Sequence, residues 1–143
     1  MTVVTHSPAE TQAFAHKLGQ QLKPGTCIAF AGGLGAGKTT FTRGLALGMG
    51  LPDTVSSPTF ALVNEYRGDS FSVFHFDMYR IEDEDELYSI GFYDYADRGG
   101  ICITEWSENI EYALPERYIR VELTKNSETD TDSRAVVIEI IGD

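Results

Sequence analysis

A glycine-rich octet near the start of the chain has the residue types and spacing of a phosphate-binding loop. Residues 32–39 read Gly-Gly-Leu-Gly-Ala-Gly-Lys-Thr, which fits the pattern G-x-x-x-x-G-K-[ST]. Glycines let backbone N–H groups turn inward around phosphate oxygens, and a helix that starts at the loop adds positive potential. In this pattern Lys38 reaches the β- and γ-phosphates, and the Thr39 hydroxyl binds Mg²⁺. The octet therefore predicts a site for a nucleoside triphosphate.

The segments on either side of the octet have the patterns of the strand and helix that such a loop requires. Residues 26–31 form a short apolar run that is typical of a buried strand. After the loop, Phe41, Leu45 and Met49 recur at i, i+4 and i+8, which predicts a helix over residues 39–49. This order of strand, loop and helix is the context that supports the motif.

Two acidic residues at the ends of apolar runs are candidates for the chemistry beside the phosphates. Glu105 closes the run 101–104, and an acid at that place can bind Mg²⁺ or orient the attacking water. Asp77 ends the run 74–76 and can activate water or contact the γ-phosphate. Alternation turns His75 to the same face as Asp77, where we expect a structural role rather than that of a base. An ordinary strand-end carboxylate remains the alternative reading for each acid.

The other elements follow from turn residues and apolar periodicity. A helix over residues 8–21 should begin with Ser7 and Pro8 and bury Phe14, Leu18 and Leu22. An acidic helix should open within residues 81–87. Further strands are predicted at 101–105, 118–123 and 135–141, and a hairpin at 59–66 and 71–76. Together these patterns predict a single α/β domain over residues 1–143. It should be a three-layer P-loop NTPase-like domain with a mostly parallel central sheet and a β-hairpin insertion.

Composition limits the possible partners and compartments. Eleven basic and 22 acidic residues give a formal net charge of −11, which disfavours broad binding of a nucleic-acid backbone. No apolar run reaches the roughly 18–20 residues that a membrane helix needs, and residues 1–6 do not resemble a signal peptide. Cys27 and Cys102 fit buried strand positions better than a disulfide or a metal site. We therefore expect a cytoplasmic protein without a membrane association.

Several of these motifs together resemble the TsaE (YjeE) family. The matching segments, in the order and spacing of the family, are Gly-x-Leu-Gly-Ala-Gly-Lys-Thr-Thr at 32–40, Ser-Pro-Thr-Phe at 57–60, His-Phe-Asp-Met-Tyr-Arg at 75–80 and Glu-Trp at 105–106. The resemblance implies a bacterial ATPase needed for N6-threonylcarbamoyladenosine next to the tRNA anticodon, with ATP and Mg²⁺ as cofactors. It also implies that the protein acts with TsaD and TsaB, hydrolyses ATP weakly without them, and contacts tRNA indirectly or only locally.

The same resemblance implies roles for individual residues. Phosphates would be held by the loop and the start of its helix, namely Gly33, Leu34, Gly35, Ala36, Gly37, Lys38, Thr39 and Thr40. Thr39 and Glu105 would hold Mg²⁺, and Asp77 and Glu105 would serve catalysis. Thr59 would belong to a switch-like loop, and Thr11 would lie near the nucleotide. Gly33 stands where the family commonly has Asp, so the role of that Asp is not carried over.

Other nucleotide-binding classes compete with this interpretation. A small-molecule kinase shares the loop and its Mg²⁺, but it usually has an arginine-rich lid, and the seven arginines of this chain form no such cluster. A GTPase is disfavoured because the guanine-reading Asn-Lys-x-Asp motif is absent. A regulatory protein that only binds ATP also remains open. Release of phosphate without an acceptor substrate separates the ATPase from the kinase.

Overall fold

A computed structural model of the chain describes residues 1–31, 37–51, 63–67, 72–77, 83–89, 92–94, 100–105, 113–125 and 132–142. The strands are β1 (Thr2–Thr5), β2 (Cys27–Ala31), β3 (Val63–Arg67), β4 (Ser72–Asp77), β5 (Ile101–Glu105), β6 (Tyr118–Lys125) and β7 (Arg134–Ile141). The helices are α1 (Pro8–Gly19), α2 (Lys38–Gly48) and α3 (Glu84–Ser89), and a 3-10 helix spans Phe92–Asp94.

The described strands form one seven-stranded sheet in the order β1-β7-β6-β2-β5-β4-β3. Its centre is parallel, because β2 pairs in parallel with both β5 and β6, and β5 pairs in parallel with β4. The pairs β3–β4, β6–β7 and β1–β7 are antiparallel. The predicted α/β fold and the hairpin β3–β4 are thus confirmed, and the sheet is parallel in its core but antiparallel in its outer pairs.

Each face of the sheet carries its own apolar cluster. On one face, Ile28, Phe30 and Ile103 pack with Phe41 and Leu45 of α2, all of them fully buried. On the other face, the buried residues are Cys27, Phe74, Phe76 and Cys102 from the strands, with Leu87 of α3 and Phe92. Since alternate residues of a strand point to opposite faces, the two clusters account for strands that are apolar almost throughout. The result is the predicted three-layer arrangement.

Helices α1 and α2 approach one another closely on the first of these faces. An added Cβ at Gly44 would lie 2.5 Å from the carbonyl oxygen of Gln12, and one at Gly48 would lie 2.1 Å from that of His16. The most buried residues of α1 are accordingly Thr11, Ala15 and Gly19.

The predicted large residues of α1 flank this line of close contact rather than form its centre. Phe14, Leu18 and Leu22 are partly buried and pack against the same cluster. Small residues take the centre because only they let two helix backbones come this near.

Element boundaries differ from the predictions by a few residues, as expected for helix ends. The first helix ends at Gly19 rather than near residue 21, and β6 continues to Lys125 rather than stopping at 123. Strand β1 was not predicted.

Within the described part of the chain, no helix is long and apolar enough to cross a membrane.

Candidate functional site

The topology brings the ends of three central strands to one edge of the sheet. Strands β2, β5 and β4 are parallel neighbours, and their last residues are Ala31, Glu105 and Asp77. Helix α2 begins at Lys38, only seven residues along the chain from the end of β2 at this edge. Ligands of open α/β sheets bind at the carboxyl ends of the strands, which makes this edge the candidate site.

Within the described residues, the first turn of α2 has neither a side-chain cap nor an acidic residue. Its cap residue, Gly37, has φ 93° and ψ 16°, a left-handed conformation that favours glycine, and no side chain caps the helix. The first turn contains no acidic residue. Helix α1 is the opposite case, because Ser7 Oγ accepts a hydrogen bond from the Glu10 backbone N–H at 3.1 Å. An uncapped helix start with a buried lysine is suited to hold phosphate oxygens.

A small cleft adjoins the start of α2 and includes three of the predicted residues, Thr11, Gly37 and Thr40. It is lined by Pro8, Thr11, Gly37, Thr40, Asp132 and Arg134. Thr11 is buried, and its Oγ1 lies 2.6 Å from Oγ1 of Thr5 at the end of β1. The structure thus brings Thr11 next to Gly37 and Thr40.

Arg134 is a residue of this cleft that sequence reasoning missed. It is the first residue of β7, and its Nε lies 3.6 Å from the position of a Cβ added to Gly37. Antiparallel pairing explains the placement, since Arg134 is the register partner of both Thr5 and Lys125. An arginine that follows a polar loop carries no local signal for this position.

Glu105 is held by a buried chain of hydrogen bonds across three strands. Its Oε2 lies 2.7 Å from His75 Nε2, and His75 Nδ1 lies 3.0 Å from the hydroxyl of Tyr66. His75 is fully buried, and Glu105 is 9% exposed. Glu105 has the same parity along β5 as Ile103, so it lies on the sheet face that α2 covers. His75, for which the sequence predicted a structural role, hydrogen-bonds to Glu105 and to Tyr66. No sequence pattern indicated that Tyr66 would take part.

The remaining predicted residues divide into three groups. Asp77 is described by its backbone, which is the register partner of Glu105 at the end of β4. Gly33, Leu34, Gly35, Ala36 and Thr59 lie outside the described residues. Lys38 is 6% exposed, and Thr39 and Thr40 are partly exposed in the first turn of α2.

The donor set at this edge fits a magnesium ion that is shared with a bound phosphate. In the described residues no three His, Cys, Asp or Glu side chains form a cluster that could enclose a metal by themselves. Mg²⁺ prefers one or two protein oxygens together with phosphate oxygens and waters. Thr39 at the helix start and Glu105 at the strand end supply oxygens of this kind. No hydrogen bond from the described part of the chain reaches Oε1 of Glu105.

Comparison with known proteins gives the same result for fold and sequence. The sequence model of a family described as threonylcarbamoyl adenosine biosynthesis protein TsaE matches residues 5–136. A Bacillus subtilis protein named tRNA threonylcarbamoyladenosine biosynthesis protein TsaE is 37% identical over 138 residues, covering 96% of this chain and 84% of that protein. A Treponema pallidum protein of the same name is 34% identical over 123 residues, covering 86% and 90%.

A solved structure agrees with these sequence comparisons. The crystal structure of YdiB from Bacillus subtilis is similar with a TM-score of 0.78 and 29% identity. The match covers all of this chain and 86% of that one, so the described fold has an experimental counterpart over its whole length.

Proposed function

The chain belongs to the TsaE family, and on that premise we propose that it is a Mg²⁺-dependent ATPase required for threonylcarbamoyl modification of tRNA. The modified base is the adenosine next to the anticodon, and the protein acts in the cytoplasm with TsaD and TsaB. The names of its relatives support the role in tRNA threonylcarbamoyladenosine biosynthesis. The observation that carries the ATPase assignment is the uncapped start of α2, which forms the last two residues of the G-x-x-x-x-G-K-T octet.

In this proposal the backbone N–H groups at the start of α2 and the Lys38 ammonium bind the phosphates. The Thr39 hydroxyl and the Glu105 carboxylate would hold Mg²⁺. When bound, the ion neutralises charge on the β- and γ-phosphates. Asp77 orients or deprotonates the attacking water, because it ends the strand next to Glu105.

Residues of the adjoining cleft complete the proposed nucleotide site. Thr11 lies beside Gly37 and is held there by Thr5, so its position is fixed by the packing of α1 against β1. Arg134 adds a positive charge at the loop's last glycine. The family resemblance adds Thr59, which lies outside the described residues, to this proposed site.

The charge of the chain bears on how it meets its partners. At a formal −11, the protein surface repels a nucleic-acid backbone, so we propose contact with tRNA through TsaD and TsaB or through a local patch. Steering by charge then favours partners that present basic surfaces.

The proposal is tested by ATP hydrolysis of the purified protein, first alone and then with a purified TsaD–TsaB pair. We expect weak hydrolysis that the pair stimulates, with phosphate released in the absence of any small-molecule acceptor. Lys38→Ala should abolish turnover, because the phosphates lose their charged ligand. Lys17→Ala is the matched control, since Lys17 is an exposed lysine on α1.

Three results would count against the proposal. If the Lys38→Ala variant hydrolysed ATP at the wild-type rate, the octet would not be the site of hydrolysis. If the TsaD–TsaB pair neither stimulated hydrolysis nor bound the protein, the proposed role in tRNA modification would be wrong. The assignment of the nucleotide site would not be affected. Hydrolysis that requires a small-molecule acceptor would instead identify a kinase.

A further inference from the structure

The buried chain Tyr66–His75–Glu105 connects the candidate metal ligand to the interior of the sheet. The three residues come from β3, β4 and β5, which are neighbouring strands. His75 Nε2 is 2.7 Å from Glu105 Oε2, and Tyr66 Oη is 3.0 Å from His75 Nδ1. Tyr66 is 9% exposed and His75 is fully buried. Water therefore has little access to compete for these hydrogen bonds.

The direction of the hydrogen bonds follows from the chemistry of the groups. An ionised carboxylate only accepts hydrogen bonds, so the proton of the 2.7 Å contact must reside on His75 Nε2. In the neutral ring Nδ1 is then an acceptor, and the Tyr66 hydroxyl donates to it. The Glu105 carboxylate thus fixes the ring form in which Nε2–H points at it, and the bond from Tyr66 to Nδ1 holds the ring in that orientation.

The consequence for Glu105 is an asymmetric carboxylate. Its Oε2 is bound to the imidazole, whereas Oε1 receives no hydrogen bond from the described residues. Mg²⁺ demands nearly ideal octahedral geometry at short distances, so a ligand oxygen with a fixed direction binds it better than a freely rotating one. Hydrogen-bond partners behind a metal ligand commonly change metal affinity by 10–100-fold.

We propose that His75, oriented by Tyr66, is a positioning residue that holds the Glu105 carboxylate so that Oε1 is presented to the Mg²⁺ of the bound nucleotide. This inference rests on the proposed function, because it requires a magnesium–nucleotide complex at the start of α2. It assigns to His75 an effect on metal affinity, separate from any contribution to folding.

The test measures metal binding directly rather than turnover. Mn²⁺ replaces Mg²⁺ as the probe, and electron paramagnetic resonance counts free Mn²⁺ in the presence of the full-length protein and a non-hydrolysable ATP analogue. Binding of the analogue in excess EDTA is measured in parallel by calorimetry. The variants are His75→Leu, which removes both hydrogen bonds, Tyr66→Phe, which removes only the outer one, and His75→Gln, which retains an N–H donor. His16→Leu, on α1, is the matched control.

We expect His75→Leu to weaken Mn²⁺ binding to the analogue complex at least tenfold while affinity for the metal-free analogue stays within twofold. Tyr66→Phe should give a smaller loss, His75→Gln should recover part of the affinity, and His16→Leu should match the wild type. If His75→Leu does not fold, Tyr66→Phe and His75→Gln decide the question.

The outcomes separate the inference from the function on which it rests. Wild-type protein that binds no Mn²⁺–nucleotide complex would overturn the proposed function. Wild-type binding with unchanged Mn²⁺ affinity in the variants would overturn the positioning role alone. An equal loss of affinity for the metal-free analogue would also overturn it, because that result indicates a general structural effect.

Discussion

Asp77 and Glu105 are register partners at the ends of the parallel strands β4 and β5. Neighbouring positions in a parallel pair share a face of the sheet, so two carboxylate-bearing residues meet at the edge from which α2 starts. In the proposed function, one of them is a metal ligand and the other acts on water. The two roles can be distinguished by experiment, because loss of a metal ligand changes the affinity for Mg²⁺ whereas loss of a group that acts on water changes kcat.

Asp77→Asn should lower kcat at least a hundredfold and change the affinity for Mg²⁺–ATP less than threefold, since general acid–base catalysis contributes typically 10²–10⁴-fold. Glu105→Gln should instead weaken the Mg²⁺ dependence of nucleotide binding at least tenfold, because an amide oxygen carries no negative charge for the metal. Steady-state kinetics together with calorimetry at several Mg²⁺ concentrations separates the two effects. A collapse of ATP affinity in Asp77→Asn would make Asp77 a binding residue.

Local sequence pattern was sufficient for the elements that carry the loop. The apolar run before the octet was enough to predict β2, because a strand buried on both faces is apolar at successive positions. The i, i+4 spacing after the octet was enough to predict α2, because a helix buried on one face repeats its apolar residues at that interval. The strand-end position of Glu105 followed in the same way. These features depend on residues that are close in the chain.

Features that depend on strand order could not be predicted. Arg134 reaches Gly37 because β7 lies between β1 and β6, and Tyr66 reaches His75 because β3 pairs antiparallel with β4. Strand β1 is only four residues long, and its pairing with β7 joins residues 129 to 135 positions apart. No local pattern encodes such distant pairing.

Replacement of Arg134 tests the charge at the loop's last glycine. Arg134→Gln should weaken ATP binding about tenfold, because charge-assisted hydrogen bonds to phosphate contribute about 1.5–3 kcal/mol each and part of that is retained by water. The measurement is calorimetric titration with ATP. Arg120→Gln is the matched control, since Arg120 pairs with Glu122 and Glu139 on the surface of the sheet. Equal affinities for the two variants would exclude Arg134 from the site.

Replacement of Gly44 tests the close packing of α1 against α2. A Cβ at this position would lie 2.5 Å from Gln12 O and 2.8 Å from the Cβ of Ala15, so the helices must separate. Alanine gains about 1 kcal/mol in helix propensity over glycine, but overpacking typically costs 1–3 kcal/mol. We expect Gly44→Ala to lower the free energy of unfolding by up to about 2 kcal/mol, measured by urea denaturation. Stabilisation by Gly44→Ala would show that propensity outweighs the contact.

Because the Cys102 thiol is buried, we expect the protein to lose stability at alkaline pH. Cys102 and Cys27 are buried free cysteines and register partners on β5 and β2. Burial, together with the hydrogen bond to Cys27, raises the pKa of the Cys102 thiol. The unfolded chain releases this proton near pH 8.5 while the folded chain keeps it. The folded state therefore binds more protons above that pH, and stability falls as pH rises until the thiol also ionises in the folded state.

We expect the free energy of unfolding to decrease between pH 8.5 and 10 with a contribution from Cys102 that approaches about 1.4 kcal/mol per pH unit. Cys102→Ala removes the titrating group, so its stability should fall less steeply over the same range even though the variant is less stable at pH 7. Urea denaturation at half-unit pH intervals measures both slopes. Parallel curves for wild type and Cys102→Ala would mean that the thiol keeps its ordinary pKa despite its burial, and the alkaline transition would then belong to other groups.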